Sequence, residues 1–213
     1  MIELNLGPTF RHLPYTIRLY DVTEEMFDEI VDEDTKAEYI DGVMIVHSPA
    51  SLRHDYVSGF IRSLLNDYAE AHDLGVVFGP DALVRLRTGR RFAPDAFFVP
   101  RDQVAIPLPK QYHGVPALVV EVLSSSNREE DLHDKRPAYH EAGVNEIWIV
   151  DLEEQVVLVD YRQKKGYKKS RHSSGKVLSK IIPDFWLDTD WLWSEPLPKR
   201  LPCLQQILRS AKP

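Results

Sequence analysis

The fold of this chain is decided by its most continuous apolar stretch, PALVVEVLS, at residues 116–124. An apolar run of this length predicts a strand that is buried on both faces of a sheet. One acid, Glu121, lies in the middle of the run. Because an ionised carboxylate is costly to bury without a partner, Glu121 must be paired, protonated or bound to a metal ion.

A second acid beside an apolar strand offers that partner. Asp95 follows Pro94 and precedes the run AFFV at residues 96–99. Acids on adjacent strands can meet at one point and chelate a divalent cation through oxygen ligands, which Mg²⁺ prefers. A salt bridge to an arginine is the alternative for either acid alone. The two acids together favour a site for Mg²⁺ or Mn²⁺.

Local signals predict the elements before this strand. Thr23 is the predicted N-cap of a short helix. Asp41-Gly42, between two apolar runs, predicts a hairpin with a type I′ turn. Ser48-Pro49 predicts the start of a helix that extends to about residue 73. Apolar residues recur in it at helical spacing and predict a core-facing stripe: Val57, Phe60, Ile61, Leu64, Leu65 and Tyr68.

The patterns on either side of the apolar strand predict a mixed sheet. Five further runs are typical of short strands: GVVFG, ALVRLR, RRFAPDAFFVP, EIWIVDL and QVVLVDYR. The strand EIWIVDL is expected in the centre of the sheet, and QVVLVDYR is expected nearer an edge. A helix is predicted from about Asp131 to Ala142, closed by Gly143. The tryptophan-rich tail should wrap the sheet before a last short helix. The predicted fold class is α/β of the α+β type, with segregated strands rather than a doubly wound sheet.

Composition and charge restrict the possible functions. The chain has 213 residues, enough for one domain, and no apolar run of about 18 residues that could span a membrane. The first fifteen residues lack a signal-peptide pattern, so the cytoplasm is the expected compartment. The single cysteine, Cys203, excludes an internal disulfide and a cysteine-based zinc site, and is expected in the core.

The net charge of −7 argues mildly against a high-affinity, nonspecific DNA-binding protein, because such proteins neutralise phosphates with basic surfaces. Basic residues do cluster locally, and the alternative for these clusters is a solvated hairpin edge that prevents aggregation. The clusters are Arg85, Arg87, Arg90 and Arg91, and then Lys164, Lys165, Lys168, Lys169 and Arg171.

The order Pro94-Asp95 and then Glu121 resembles the PD-(D/E)xK nucleases, in which a lysine sits two residues after the second acid. Here that position is Leu123, which cannot serve. Asp131, Lys135 and Tyr139 are spaced i, i+4, i+8 on one helix face, so Lys135 could reach back over the carboxylates. The alternative is a surface ion pair of Asp131 with Lys135, worth a few tenths of a kcal/mol.

The chain as a whole resembles the Uma2 family, also called DUF820, of restriction-endonuclease-like proteins. The matching segments cover roughly residues 20 to 190: Glu38 to Gly42, Ser48-Pro49 with His54, Pro94-Asp95, Pro116 with Glu121 to Ser124, Asp131, Lys135 and Tyr139, and Ala142 to Asp151. The sequence departs from the family at Ser125, usually proline, and at Ile147, usually tyrosine. Neither change touches the acids.

This resemblance implies a restriction-endonuclease-like core, with an N-terminal extension at 1–20, the nuclease-like domain at 21–190 and a C-terminal tail at 191–213. It implies the catalytic set Glu38, Asp95, Glu121 and the migrated Lys135. The metal ligands would be Asp95, Glu121 and the main-chain carbonyl of Val122, with Tyr139 near the site.

His54 is expected to face inward, on the same side of its helix as Val57, Ile61 and Leu65. It could orient a water or contact a phosphate near Glu38, or it could be a hydrogen-bonded core histidine. The sequence does not choose between these two roles.

The expected function is metal-assisted phosphodiester hydrolysis of nucleic acid, with DNA as the expected substrate. A nuclease on RNA or branched DNA would share the site. The competing hypothesis is a catalytically weak or inactive binding or regulatory protein of the same fold. A two-fold homodimer is the simplest arrangement for cutting both strands. The rings that could form its interface are Phe185, Trp186, Trp191 and Trp193, which could equally cap the chain's own sheet.

Overall fold

The computed structural model describes residues 15–31, 37–87, 89–124 and 128–210. Most of the expected N-terminal extension, and Ser125, lie outside these ranges. The described part is a mixed α+β structure, as the sequence predicts. No helix within it is long and apolar enough to cross a membrane.

One six-stranded sheet carries the apolar strand at its centre. Its order is β12 (Tyr167–His172), β11 (Val156–Arg162), β10 (Glu146–Asp151), β9 (Leu118–Leu123), β7 (Ala96–Pro100) and β4 (Gly75–Phe78). Strands β9 and β10 are parallel and the other pairs are antiparallel. All six residues of β9 are buried, so the prediction of a strand covered on both faces is confirmed.

A second six-stranded sheet contains the predicted hairpin. Its order is β1 (Thr16–Leu19), β3 (Val43–His47), β2 (Ala37–Ile40), β6 (Arg90–Phe92), β5 (Val84–Arg87) and β8 (Tyr112–His113). Asp41 and Gly42 both have positive φ, 42° and 93°, which is the geometry of a type I′ turn. Strand β1, within the expected N-terminal extension, pairs with β3 and so is part of this sheet.

The helices are α1 (Glu24–Ile30), α2 (Leu52–Ala71), α3 (Arg128–Glu130), a π-helical segment (Asp131–Lys135), α4 (Arg136–Ala142), α5 (Thr189–Trp193) and α6 (Arg200–Ser210), with one 3₁₀ turn (Arg101–Gln103). Within the described ranges, α1 packs on the second sheet and the long helix α2 on the central sheet. The Thr23 hydroxyl caps α1 as predicted, and Gly143, with φ 83°, closes α4.

The predicted start of α2 at Ser48-Pro49 is wrong by three residues. The Ser48 N–H is still paired with the Tyr15 carbonyl, beyond the end of β3, so Ser48 does not cap a helix. Ser51 is the N-cap instead, and its hydroxyl accepts a hydrogen bond from the His54 N–H at 3.2 Å. The predicted apolar stripe of α2 is buried throughout.

The helix after β9 also differs from its prediction. It begins at Arg128 rather than near Asp131, and its second turn is π-helical. π-Helical turns are rare in proteins, and those that occur are often found at functional sites. Its two ends here are Asp131 and Lys135, both of which are buried.

The two faces of the central sheet are packed differently. One face lies under α2 and the tail, and Phe185 stacks on Trp148 with ring centroids 6.2 Å apart. The other face lies under α4 and part of the second sheet, with Phe92 against Tyr139. Cys203 is buried with the tail, as predicted. Asp95, directly before β7, and Glu121 of β9 lie on the side of the second of these layers.

Candidate active site

Asp95 and Glu121 lie side by side on neighbouring strands. Ala96 of β7 pairs with Val120 of β9, and continuing this antiparallel register by one residue places Asp95 opposite Glu121. Directly opposed residues of an antiparallel pair share a face of the sheet. Asp95 Oδ2 also accepts a hydrogen bond from the Val122 N–H at 2.8 Å. Both side chains are buried, with 7% of Asp95 and 2% of Glu121 exposed.

Lys135 lies at the centre of an acid cluster. Its Nζ is 2.8 Å from Asp131 Oδ1, 3.0 Å from Glu38 Oε1 and 3.6 Å from Glu121 Oε1. Only 3% of the lysine is exposed. The alternative of a surface ion pair with Asp131 alone therefore does not describe it, since both residues are buried and two further acids share the ammonium.

The helix face predicted from the sequence brings a third side chain to the same place. The Tyr139 hydroxyl donates a hydrogen bond to Glu121 Oε1 at 2.6 Å. Asp131, Lys135 and Tyr139 thus all reach the cluster, although the first two lie on a π-helical rather than an α-helical turn.

Glu38 is held through both of its oxygens. Oε1 accepts a hydrogen bond from the Ala93 N–H at 2.8 Å and contacts Lys135, while Oε2 is 3.1 Å from His47 Nε2. Burial alone raises the pKa of Glu38, but Lys135 and His47 outweigh burial and lower that pKa to about 2. Glu38 is therefore an ionised carboxylate that faces Lys135.

His54 contacts both the Asp95 carboxylate and the main-chain carbonyl of Val122. Its Nε2 is 2.7 Å from the Val122 carbonyl oxygen and 3.3 Å from Asp95 Oδ2. Burial lowers the pKa of His54, but the hydrogen bond and charge of Asp95 outweigh burial and raise it. The carbonyl expected to bind a metal ion thus accepts a hydrogen bond from His54 in this structure. Among the described residues, Nδ1 has no hydrogen-bond partner.

The cluster holds more negative charge than its lysine can balance. Burial, and then the charges of Asp131, Asp95 and Glu38, raise the pKa of Glu121 well above 4.5 despite Lys135. Burial also raises the pKa of Asp131, to about 6. Burial lowers the pKa of Lys135, but the three acids around it raise that pKa well above 10.5. The lysine is therefore charged, and the carboxylates repel one another.

Two members of the cluster were not assigned to the site from the sequence. Asp131 was considered only as a partner of Lys135 on a helix surface, yet it is fully buried. The sequence signal that could have assigned Asp131 to the site was its i, i+4 spacing from Lys135, which was itself expected at the site. His47 is set by the register of the β2–β3 hairpin, which brings the end of β3 next to Glu38.

The two basic clusters have different surroundings. The arginines of the β5–β6 hairpin are paired with acids: Arg85 and Arg91 with Glu24, Arg90 and Arg87 with Asp41. The lysines of the second cluster are exposed on the β11–β12 hairpin, at the edge of the central sheet. This cluster therefore lies on a solvated hairpin edge.

A cage of three protein ligands for a metal ion is not present within the described ranges. No three His, Cys, Asp or Glu side chains there are grouped so that they could hold one. Mg²⁺ usually keeps several waters and is bound by one or two carboxylates. Asp95 and Glu121, with the Val122 carbonyl, match that smaller set.

Comparison with known proteins gives one family and one shared fold. A family model described as "Uma2: Putative restriction endonuclease" matches residues 24–190. A crystal structure from Anabaena variabilis ATCC 29413, described as a "putative nuclease belonging to DUF820", superposes with a TM-score of 0.70. It covers 81% of this chain and 97% of its own, at 16% sequence identity, so the likeness is one of fold. No curated protein matches this chain significantly.

Proposed function

The chain belongs to the Uma2 family, and we propose that it is a divalent-metal-dependent endonuclease acting on nucleic acid, with DNA as the expected substrate. The observation that carries this proposal is the gathering of three buried carboxylates around Lys135, with a fourth, Asp95, opposite one of them on the neighbouring strand. Glu38 lies on β2, Glu121 on β9, Asp131 on the π-helical segment and Asp95 directly before β7, and each is at most 7% exposed. Such a concentration of negative charge is costly unless a cation shares it.

Asp95 and Glu121 are the residues that would hold Mg²⁺ or Mn²⁺, together with the carbonyl of Val122. A bound divalent ion polarises a phosphoryl oxygen and lowers the pKa of a coordinated water. His54 contacts both Asp95 and the Val122 carbonyl, so it would position these two ligands. Tyr139 would fix the rotamer of Glu121 through its hydrogen bond to Oε1.

Lys135 would supply positive charge next to the reacting phosphate. A preorganised cation stabilises negative charge that develops in the transition state, and it does so strongly in a site that excludes water. Glu38 holds the ammonium from the opposite side, at 3.0 Å, while His47 and the Ala93 N–H hold Glu38. Glu38 would then act by positioning Lys135 rather than by binding the metal ion.

A second candidate function is a binding or regulatory protein of the same fold without catalysis. The observation that favours it is the enclosure of Lys135, which is 3% exposed and already in contact with three carboxylates. A lysine in this state must change partners to reach a phosphate. The net charge of −7 favours the same candidate.

The test is a cleavage assay on plasmid DNA, single-stranded DNA and RNA with Mg²⁺ or Mn²⁺. We expect the wild type to cleave at least one substrate, and Asp95→Asn and Glu121→Gln to lower the rate by 100-fold or more. The matched control is Glu146→Gln. Glu146 is a buried acid on β10, bonded to Trp148 and Ser179 on the other face of the sheet. A folded wild type that cleaves none of the three would favour the binding protein.

We also propose a homodimer, because cutting both strands of a duplex requires two sites. Two of the rings expected at the interface, Phe185 and Trp186, are instead buried in the chain's own core. Exposed apolar side chains lie instead on α2 and the start of α6, at Leu52, Tyr56 and Leu201. These two helices pack against each other, so the three side chains offer an alternative surface.

A further inference from the structure

The ammonium of Lys135 lies among three carboxylate oxygens, at distances longer than metal–oxygen bonds. Three carboxylate oxygens, from Glu38, Asp131 and Glu121, lie 2.8–3.6 Å from Nζ. The side chains of these acids are at most 2% exposed, and that of the lysine is 4% exposed. Carboxylate oxygens are ligands that hard divalent cations such as Mg²⁺ prefer.

Asp131 gives a second, independent sign of a cation position. It is fully buried, and among the described residues its Oδ2 has no hydrogen-bond partner. A buried polar atom without a partner is rare and costs free energy. Lys135 contacts Oδ1 of this carboxylate, which leaves Oδ2 with unused capacity to bind a positive ligand.

Glu121 connects this position to the proposed metal site. Its Oε1 faces Lys135 and Tyr139, and on the strand it lies opposite Asp95. In two-metal phosphodiesterases the ions are about 3.5–4 Å apart and share ligands of this kind. Glu121 therefore borders two neighbouring cation positions, one beside Asp95 and one occupied by the ammonium.

From this geometry we infer that Lys135 takes the place of a second divalent ion. The wild-type site then binds one ion, at Asp95 and Glu121, and the ammonium excludes a second. Removal of the ammonium turns Glu38, Asp131 and Glu121 into a second ion site, once these carboxylates close in by roughly 1 Å to metal–oxygen distance. This inference rests on the proposed metal-dependent function.

The inference is tested by counting bound Mn²⁺ on the full chain, from the electron paramagnetic resonance signal of the free ion. We expect one ion per chain for the wild type and two for Lys135→Met, whose uncharged side chain is one atom shorter and lacks the ammonium. Lys135→Arg is the matched control and should stay at one ion. The double variant Lys135→Met/Glu38→Gln should return to one.

Lys135→Met leaves three carboxylates without their counter-ion, so it could be unfolded in metal-free buffer. In that case we expect Mn²⁺ to restore its native circular dichroism with two ions bound per chain. One ion per chain in Lys135→Met, or no recovery of structure with Mn²⁺, overturns the inference. Two ions on the wild type overturn it as well but leave the proposed function standing, whereas no ion on the wild type removes the proposed function itself.

Discussion

At the scale of single residues, Glu121 shows how burial and charge combine in this protein. It lies in the most apolar strand, and the cost of burying its charge is only partly offset by Lys135 and the Tyr139 hydroxyl. Its pKa is raised well above 4.5, by burial first and then by neighbouring acids. Proteins keep such destabilising groups where they are needed for function. The cost should be measurable as a dependence of stability on pH.

The first prediction concerns Glu121→Gln in metal-free buffer. Because the folded-state pKa of Glu121 is raised, the folded protein holds this proton more tightly than the unfolded chain does. The stability that Glu121 contributes therefore falls as pH rises from 4.5 through the folded-state pKa. Glutamine removes this loss, so the variant should be more stable than the wild type by about 1 kcal/mol at pH 7.5 and no more stable at pH 4.

Urea unfolding at both pH values measures this difference. Millimolar Mn²⁺ should raise the stability of the wild type, by about 2.7 kcal/mol at a hundredfold excess over the dissociation constant, and should not stabilise the variant. Glu146→Gln serves as the control. It should be destabilised by the loss of its hydrogen bonds and should keep the response to Mn²⁺. A wild type that is more stable than Glu121→Gln at pH 7.5 without metal contradicts the prediction.

At the scale of elements, the segment that carries Lys135 is held by a second polar cluster. Arg136 donates two hydrogen bonds to Asp160 of β11, both at 2.7 Å, and His140 Nε2 lies 2.6 Å from the same carboxylate. The His140 ring stacks on Tyr167 with centroids 4.0 Å apart. These contacts fix α4 to β11 and β12, directly after the π-helical segment. They keep Lys135 and Tyr139 facing the acids.

The second prediction is that Asp160→Asn weakens this attachment. Burial raises the pKa of Asp160, but Arg136 and His140 outweigh burial and lower that pKa below 3.8. The stability from ionised Asp160 is therefore present above pH 3.8 and is lost as pH falls through the lower folded-state pKa. The variant should lose about 3 kcal/mol at pH 7, the cost of breaking a buried ion pair, and less at pH 2.5.

Urea unfolding checks the loss, and amide hydrogen exchange should show faster exchange along α4. Glu154→Gln is the control, because Glu154 forms an exposed pair with Arg171 at 3.7 Å and should change stability by less than about 1 kcal/mol. Equal losses in the two variants would mean that Asp160 does not anchor the helix.

At the scale of the whole molecule, the tail determines which surfaces remain for a partner. Phe185 and Trp186 are buried, and Trp191 is tilted against Trp186 with ring centroids 5.2 Å apart. These rings cover the face of the sheet that α2 also covers. Phe185 and Trp186 are therefore taken up by the chain's own core, whereas Trp191 and Trp193 are only partly buried. Exposed apolar side chains also lie on α2 and α6.

The third prediction follows for the oligomeric state. Sedimentation velocity at micromolar concentration should show a species of twice the chain mass, and Tyr56→Glu should convert it to the monomer by burying a charge in the interface. Leu178→Glu, at an exposed position of the short strand β13 (Lys176–Leu178), is the control and should remain dimeric. A monomeric wild type would remove the dimer without affecting the active site.

The sequence by itself determined the elements whose patterns are local. The hairpin at Asp41-Gly42, the apolar stripe of α2 and the end of α4 at Gly143 each follow from backbone preferences within a few residues. The sequence also indicated that Asp95 and Glu121 belong together, because a carboxylate inside an apolar strand requires a partner in any fold. The family resemblance added Glu38 and Lys135 as members of one site.

Only the tertiary structure decided which atoms those side chains contact. Glu38 and Lys135 are 97 positions apart, and nothing local to either residue shows that they meet at 3.0 Å. The burial of Asp131, the contact of His54 with the Val122 carbonyl and the neutralisation of the β5–β6 arginines depend in the same way on distant elements. Short-range patterns fix backbone conformation, whereas the packing of helices on the sheet sets the distance between charges and therefore their protonation and partners.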